Sequence, residues 1–379
     1  MSLNLSLEKN EPDWLMQDRK RAIEQFNLLK FPEFKYGLSI KLKIPEIDFS
    51  KITPEDSNLE IIAPKEVKVL QLNDSLNNQE VQENLFITSQ ITNKLEAFHR
   101  AFWNQGILII IPKGKIIQEP IKIKLSPTNS IVNNVLVIAE SESQATIIEE
   151  LSESKEYFSN YVEIIAQDCS RINYFSVQKL NKDVFYFATK RSIIKSSALL
   201  NWFDFNIGGR YIVSETSSFL GEKGAETNIL GLFYGSNEQQ LDIASRAVHA
   251  APHTKSDMFT RGAMNDDSKS VYRGVVKIQS NANNSNGYQK EDVILLSKNA
   301  EANAVPELKI DNNDVRCTHG ATIGQIDKEK MFYLMSRGIC ESDAKKIIVH
   351  GFFEQVLKKI ENKDLYGEFN KIIENDITN

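Results

Sequence analysis

Apolar positions along the chain change their spacing twice. From Trp14 to Leu29 (WLMQDRKRAIEQFNLL) the residues Leu15, Ala22, Phe26 and Leu29 recur at near-helical intervals, and Asp13 is placed to cap the helix they predict. Between Ile44 and Asn78, prolines and polar residues interrupt any period, which predicts extended or irregular chain. Val81 to Trp103 returns to a helical pattern, with Leu85, Ile91, Leu95 and Phe98 apolar.

From Gly106 to about Ile323 the pattern is of another kind. Short runs rich in β-branched and aromatic residues, such as ILIIIP, NVLVIAE, NYFSVQKL and ALLNWFDFNIGG, are separated by Gly, Asn, Ser or Asp. Each has the length of a strand. In the run at 121–125, Ile121, Ile123 and Leu125 alternate with Lys122 and Lys124, so one face is apolar and the other polar. No helical spacers separate these runs, which excludes an alternating βαβ fold. The stretch is too long for a simple sandwich. A large sandwich, a barrel or a stacked solenoid would accommodate it. No strict repeat is visible, so the residues themselves leave sandwich and β-solenoid open.

The last zone is helical. Asp327 is placed to cap a helix through Ser336, and Gly338 to end it. A second helix carries Ala344, Ile347, Ile348, Gly351, Phe352 and Val356, a stripe at i, i+3, i+4, i+7 spacing. The two make a helical hairpin whose apolar side either packs on the β zone or receives a partner.

Composition narrows the function classes. The chain has 379 residues, 41% of them hydrophobic and 25% charged, with a net charge of −6. That balance gives no electrostatic footing for nucleic acid or an anionic membrane surface. Three scattered cysteines do not form a disulfide framework and suit a reducing compartment. The first twenty residues carry acids early and lack the apolar stretch of a secretory signal, and no run approaches the ~18–20 apolar residues of a membrane span. The expectation is a soluble, cytoplasmic protein.

Enzyme signatures are missing. Gly114–Lys115 lacks the upstream glycine and following Ser/Thr of a phosphate loop, and Gly221 and Gly224 flank a lysine at the wrong spacing. The expectation is that the chain has no nucleotide site of its own. Of the five histidines, His249 and His253 lie on either side of Pro252 in VHAAPHTKS, where a turn with hydrogen-bonded imidazoles is the plain reading. His99 and His350 fall in helical segments that suit surface or packing roles.

Cys317 and His319, in VRCTHGATIG, are two apart, and in a strand both would face the same side. Thiolate and imidazole suit a transition metal or an iron–sulfur species. Two ligands do not close a site, so others would have to come from elsewhere in the chain or from another subunit.

The stretch from Asn312 to Leu357, which joins CTHGAT to FYLMSRGI, resembles the C-terminal signature of the SufB/SufD family of iron–sulfur cluster assembly proteins. In the same order, Glu11 to Phe26, GILIIIPKG (Gly106 to Gly114), HAAPHTKS (His249 to Ser256) and VYRGVVKI (Val271 to Ile278) are similar to other parts of the family. The resemblance covers most of the chain. It implies a right-handed parallel β-helix at 106–323, flanked by an N-terminal mixed or helical region at 1–105 and a C-terminal helical domain at 324–379.

It also implies a function. Family members pair through their β-helix edges and dock a SufC ATPase on their C-terminal helices, where Tyr333, Leu334, Arg337 and Gly338 would lie. A nascent iron–sulfur cluster is held transiently at the shared interface, and a flavin enters only at the level of the complex. The resemblance is to the SufD side of the family. The stretch that corresponds to a cysteine of SufB, near Ala300, has no thiol, and Gly320 stands where SufB has a glutamate. His319, with Cys317 beside it, falls on the family's cluster-assembly position. The expected role is a non-enzymatic, SufD-like scaffold that pairs with a SufB-like paralogue. The alternatives are a divergent scaffold that pairs with itself and a purely structural platform for an ATPase.

Overall fold

The structure is a computed structural model that describes residues 11–376, apart from 38, 56, 89, 361 and 362. Helix α1 (Asp13–Leu28), a small hairpin of β1 (Lys35–Tyr36) and β2 (Ile40–Lys41), and helices α2 (Gln79–Asn84) and α3 (Lys94–Phe102) form the N-terminal region. Pro12, rather than Asp13, occupies the cap position of α1. A proline there has no N–H to leave unbonded, so Asp13 becomes the first helical residue and favours the positive end of the dipole. The helical run expected over 81–103 is broken into α2 and α3, with Asn93 capping α3 through the amides of Leu95 and Glu96.

The β zone is a parallel solenoid of about eight turns built from two nine-stranded sheets. The first sheet contains β3 (Leu59–Ile62), β6 (Ile121–Leu125), β8 (Gln144–Glu153), β10 (Arg171–Leu180), β12 (Leu199–Asn206), β14 (Glu226–Gly235), β16 (Lys255–Met264), β18 (Asn286–Leu295) and β20 (Arg316–Gln325). The second contains β4 (Lys68–Gln71), β5 (Gln105–Ile111), β7 (Ile131–Ala139), β9 (Tyr157–Ala166), β11 (Phe185–Ile194), β13 (Tyr211–Leu220), β15 (Gln240–His249), β17 (Lys269–Ile278) and β19 (Glu301–Ile310). The chain alternates between sheets, so each strand pairs with the strand two further on, and the solenoid alternative left open by the residues is the one adopted. Within the stretch expected to be extended or irregular, β3 and β4 run antiparallel to β6 and β5 and close off one end of the stack. At the other end, among the described residues, β19 and β20 have no further strand beside them.

Four packed regions hold this together. Between the sheets lie two apolar cores, one around Ile147, Tyr174 and Trp202 and one around Phe158, Tyr186 and Ile243. The N-terminal region covers the outer face of the second sheet with Phe49, Phe98 and Trp103 against Tyr157, Phe185 and Phe187. Strands β7 and β9 are therefore buried along their whole length, which is why their sequences show no polar alternation.

The C-terminal helices α4 (Lys328–Ser336), α5 (Glu341–Leu357) and α6 (Lys363–Asp376) follow β20. Phe369 of α6 stacks on Phe175, itself stacked on Phe203 at 4.0 Å, on the outer face of the first sheet. Asp327 caps α4 by accepting from the amides of Glu329 and Lys330, and Gly338 at φ +87° turns the chain toward α5. The buried face of α5 differs from the expected stripe. Ala344 and Val356 are buried, but Val349, Phe353 and Leu357 join them against the solenoid. Ile347 and Gly351 face outward. The helix is apolar on two sides, so its spacing alone does not select the face that docks.

Candidate functional site

The last coil is where chemistry-bearing residues meet the open end. On β20, Cys317 lies beside Gly287 of β18 and His319 beside Gln289. Both face the interior. A Cβ on Gly287 would stand 3.3 Å from the Cys317 sulfur and 2.7 Å from Val276 of the opposite sheet, so this glycine leaves the room into which the thiol packs. Cys317 is half-buried against the apolar core, and burial pushes its thiol up from the usual range. His319 is exposed at the rim, with its Nδ1 3.5 Å from the Gln289 amide nitrogen. Ile310, at the end of β19, and Ile323, near the end of β20, remain 42% and 38% exposed.

Beneath the rim the interior is polar. Glu291, two residues beyond Gln289, is 3% exposed, and burial, with Asp292 next to it, pushes its carboxyl up to about 8. Asp292 points the other way. It takes Arg261 of β16 at 3.2 Å and Lys290 at 3.2 Å. Arg261, itself buried, also donates to the Phe352 carbonyl and the Gln355 side chain of α5, and so ties that helix to the sheet.

The other histidines play no part in this site. His249, at the end of β15, holds Thr254 and Ser256 at 2.8 Å through its two ring nitrogens, and burial drops its pKa to about 4. His253 is exposed in the turn at φ +59°. His99 is buried between Ser159 and Asn134, also with a pKa near 4 through desolvation. His350 accepts or donates a bond at 2.8 Å to Asn370 on α6.

The hairpin residues form a separate surface. Tyr333 and Leu334 line a groove with Ile347, Ile348, Gly351 and Phe352, which Arg261 also reaches. Arg337 lies 5.1 Å over the Tyr333 ring, while Gly338 serves the turn alone. Gln325, at the foot of the hairpin, lies six positions along the extended strand from His319, about 20 Å away. The structure therefore brings Cys317 and His319 to one end of the solenoid and the hairpin residues to another surface. Gln289, Glu291 and Arg261 had no signal in the sequence. Gln289 and Glu291 meet β20 only through a register offset of 30 residues.

Among the described residues no group of three or more His, Cys, Asp or Glu side chains stands close enough to hold a metal ion, so Cys317 and His319 do not by themselves close a metal site. No described helix is long and apolar enough to cross a membrane.

Comparison with known proteins gives a consistent result. The family profile described as SUF system FeS cluster assembly, SufBD core domain, matches residues 123–352. The chain is 24% identical over 412 aligned residues to an iron–sulfur cluster assembly protein SufB of Bacillus subtilis, covering 94% of this chain and 88% of that one. It is 26% identical over 293 residues to the SufD protein of the same organism, covering 75% and 67%. An iron–sulfur cluster assembly SufBD family protein of Staphylococcus saprophyticus is 24% identical over 414 residues, covering 94% and 88%.

Proposed function

The chain belongs to the SufBD family of iron–sulfur cluster assembly proteins, and on that premise we propose that it is a SufD-like scaffold subunit of a cluster assembly complex. The observation that carries this reading is the uncapped last coil. Strands β19 and β20 each present an unpaired edge, and the apolar interior ends there in exposed Ile310 and Ile323. Free edges over an open core are completed by adding further strands. A second solenoid, from a SufB-like paralogue or another copy of this chain, would close the core. It would also bring its own ligands to Cys317 and His319, whose thiolate and imidazole suit a nascent iron–sulfur cluster carried as cargo.

The groove between α4 and α5 supports the second half of the reading. Phe332 is 74% exposed, and Tyr333 and Ile347 lie bare beside it, an apolar face fit for a SufC-like ATPase. Nucleotide chemistry would then belong to that partner, in the cytoplasm, and this chain would act without catalysis of its own. A flavin enters only with the whole complex.

The test is His319→Ala in an assembled complex. Cluster yield should fall while the fold and ATPase binding persist, and an undiminished yield overturns the role given to His319. The same exposed hairpin favours a second reading, a structural platform for an ATPase. On that reading truncation after Asp327 abolishes association, and both Cys317 and His319 are dispensable for cluster formation.

A further inference from the structure

Four buried side-chain oxygens gather in the last coils: Thr260 Oγ1 and Tyr272 OH, which lie within reach of each other, and Gln289 Oε1 and Glu291 Oε2, which have no hydrogen-bond partner among the described residues. All four residues are more than nine-tenths buried. Register makes Thr260 and Glu291 neighbours across β16 and β18, and Gln289 shares the inward side of β18 with Glu291. From the opposite sheet, Gly274 shows where the glutamine lies. A Cβ at Gly274 would stand 2.5 Å from Gln289 Oε1 and 3.1 Å from the Tyr272 ring. The amide and the phenol therefore meet in the space that glycine leaves. Above them, the final strand sets His319 over Gln289 and only the small Ala321 over Glu291.

Glu291 is unlike the other buried acids. Asp204 has Lys190, Asp242 has Arg273, Asp292 has Arg261, and Glu149 accepts from Asn160 and Ser176. Among the described residues Glu291 has no ion pair and no hydrogen bond, although Asp292 beside it adds negative potential. A carboxyl kept out of water without a partner calls for a proton or a cation. Carboxylate, amide carbonyl and hydroxyl oxygens together are the donor set of a hard divalent cation.

We propose that this oxygen cluster takes up a ferrous ion, with Glu291 as its anionic ligand, Gln289 as its carbonyl ligand and His319 at its mouth. Uptake exchanges the Glu291 proton for the cation, and no electron moves. The inference rests on the assembly reading only for the choice of iron, because the cluster lies within one chain and needs no partner to form.

The experiment titrates the full chain, free of partners, with Fe(II) alone under anaerobic conditions, read by Mössbauer spectroscopy, and in parallel with Mn(II), read by electron paramagnetic resonance. Wild type should take up one equivalent of either ion. Glu291→Gln, which keeps the shape, should bind at least tenfold more weakly, and Gln289→Met should weaken binding too. Thermal melts confirm that each variant is folded. Wild type that takes up no cation, or Glu291→Gln that binds as wild type does, overturns the proposal. Cluster yield in the assembled complex separates this outcome from the broader reading. Loss with His319→Ala but not with Glu291→Gln sinks the ferrous site alone, whereas full yield with His319→Ala sinks the assembly role.

Discussion

Gly287 and Cys317 are register partners on neighbouring strands, and the thiol occupies space that any side chain at Gly287 would contest. A methyl there would meet Val276 at 2.7 Å and the Cys317 sulfur at 3.3 Å, so the neighbours must shift. Gly287→Ala should cost about 1–3 kcal/mol through overpacking. It should also push the thiol toward the open end. Urea unfolding measures the cost, and alkylation of Cys317 should become faster. An unchanged alkylation rate would show that the thiol is not held by this contact.

Much of the fold was legible where its causes are local. The cap at Asp327, the stop at Gly338 and the alternation of Ile121, Ile123 and Leu125 each depend on a few adjacent residues, and the structure repeats them. The solenoid itself was not legible from a repeat, because its coils differ in length. Phe185 pairs with Tyr211, 26 positions on, whereas Lys269 pairs with Glu301, 32 positions on. The turns also conceal themselves. Positive φ falls on Glu142, Cys169, Ser197 and His253 at successive corners, with glycine in that role only at Gly224 among them. At the site, the shared side of Cys317 and His319 followed from strand geometry alone. Glu291 could not be found the same way, because a polar residue in a strand is ordinarily read as facing water.

Two buried histidines and one buried acid set opposing pH dependences. His99 and His249 have folded pKa values near 4, below the ordinary 6.5, so the unfolded chain binds more protons and each costs stability as pH falls below 6.5. Between pH 7.5 and 5.5 that is about 1.4 kcal/mol for each. Glu291 has a folded pKa near 8 against an ordinary 4.5, so its contribution is fully present below 4.5 and is lost as pH rises through 8. Over the same interval it favours the acid side by about 2–3 kcal/mol. Glu149, Glu163 and Asp242 are raised in the same direction, so the informative quantity is the difference between a variant and its parent. Glu291→Gln should unmask acid destabilisation, and His249→Asn should shift the slope the opposite way. Urea unfolding at the two pH values measures both, and parallel slopes in all three proteins would refute the assignment.

Deep in the solenoid, Lys190 pairs with Asp204 at 3.0 Å and donates to Ser214 at 2.8 Å. Lys190→Met should leave Asp204 with little beyond Thr216 and destabilise the chain by about 3–5 kcal/mol. Lys190→Met with Asp204→Leu should recover most of that loss, since an apolar pair avoids the desolvation that the ions suffer. The double-mutant cycle is read from urea unfolding, and additive losses would show that the pair is not the unit.

Arg261 pins α5 to the first sheet through the Phe352 carbonyl, Gln355 and Asp292, while Phe353 fills the apolar contact beneath. Phe353→Ala should cost about 3–5 kcal/mol if the helix unfolds with the whole chain. The loss will be smaller in global unfolding if α5 opens on its own. Arg261→Ala separates the cases. It removes the pin but leaves the apolar contact, so amide exchange should quicken through α5 and stay slow in β10 and β12. Because Phe352 and Ile347 line the groove that α5 forms with α4, the same variant should also weaken whatever binds there without altering a groove side chain on the helices. Hydrogen exchange across α5 that matches wild type would mean that Phe353 and its neighbours hold the helix unaided, and that Arg261 serves Asp292 instead.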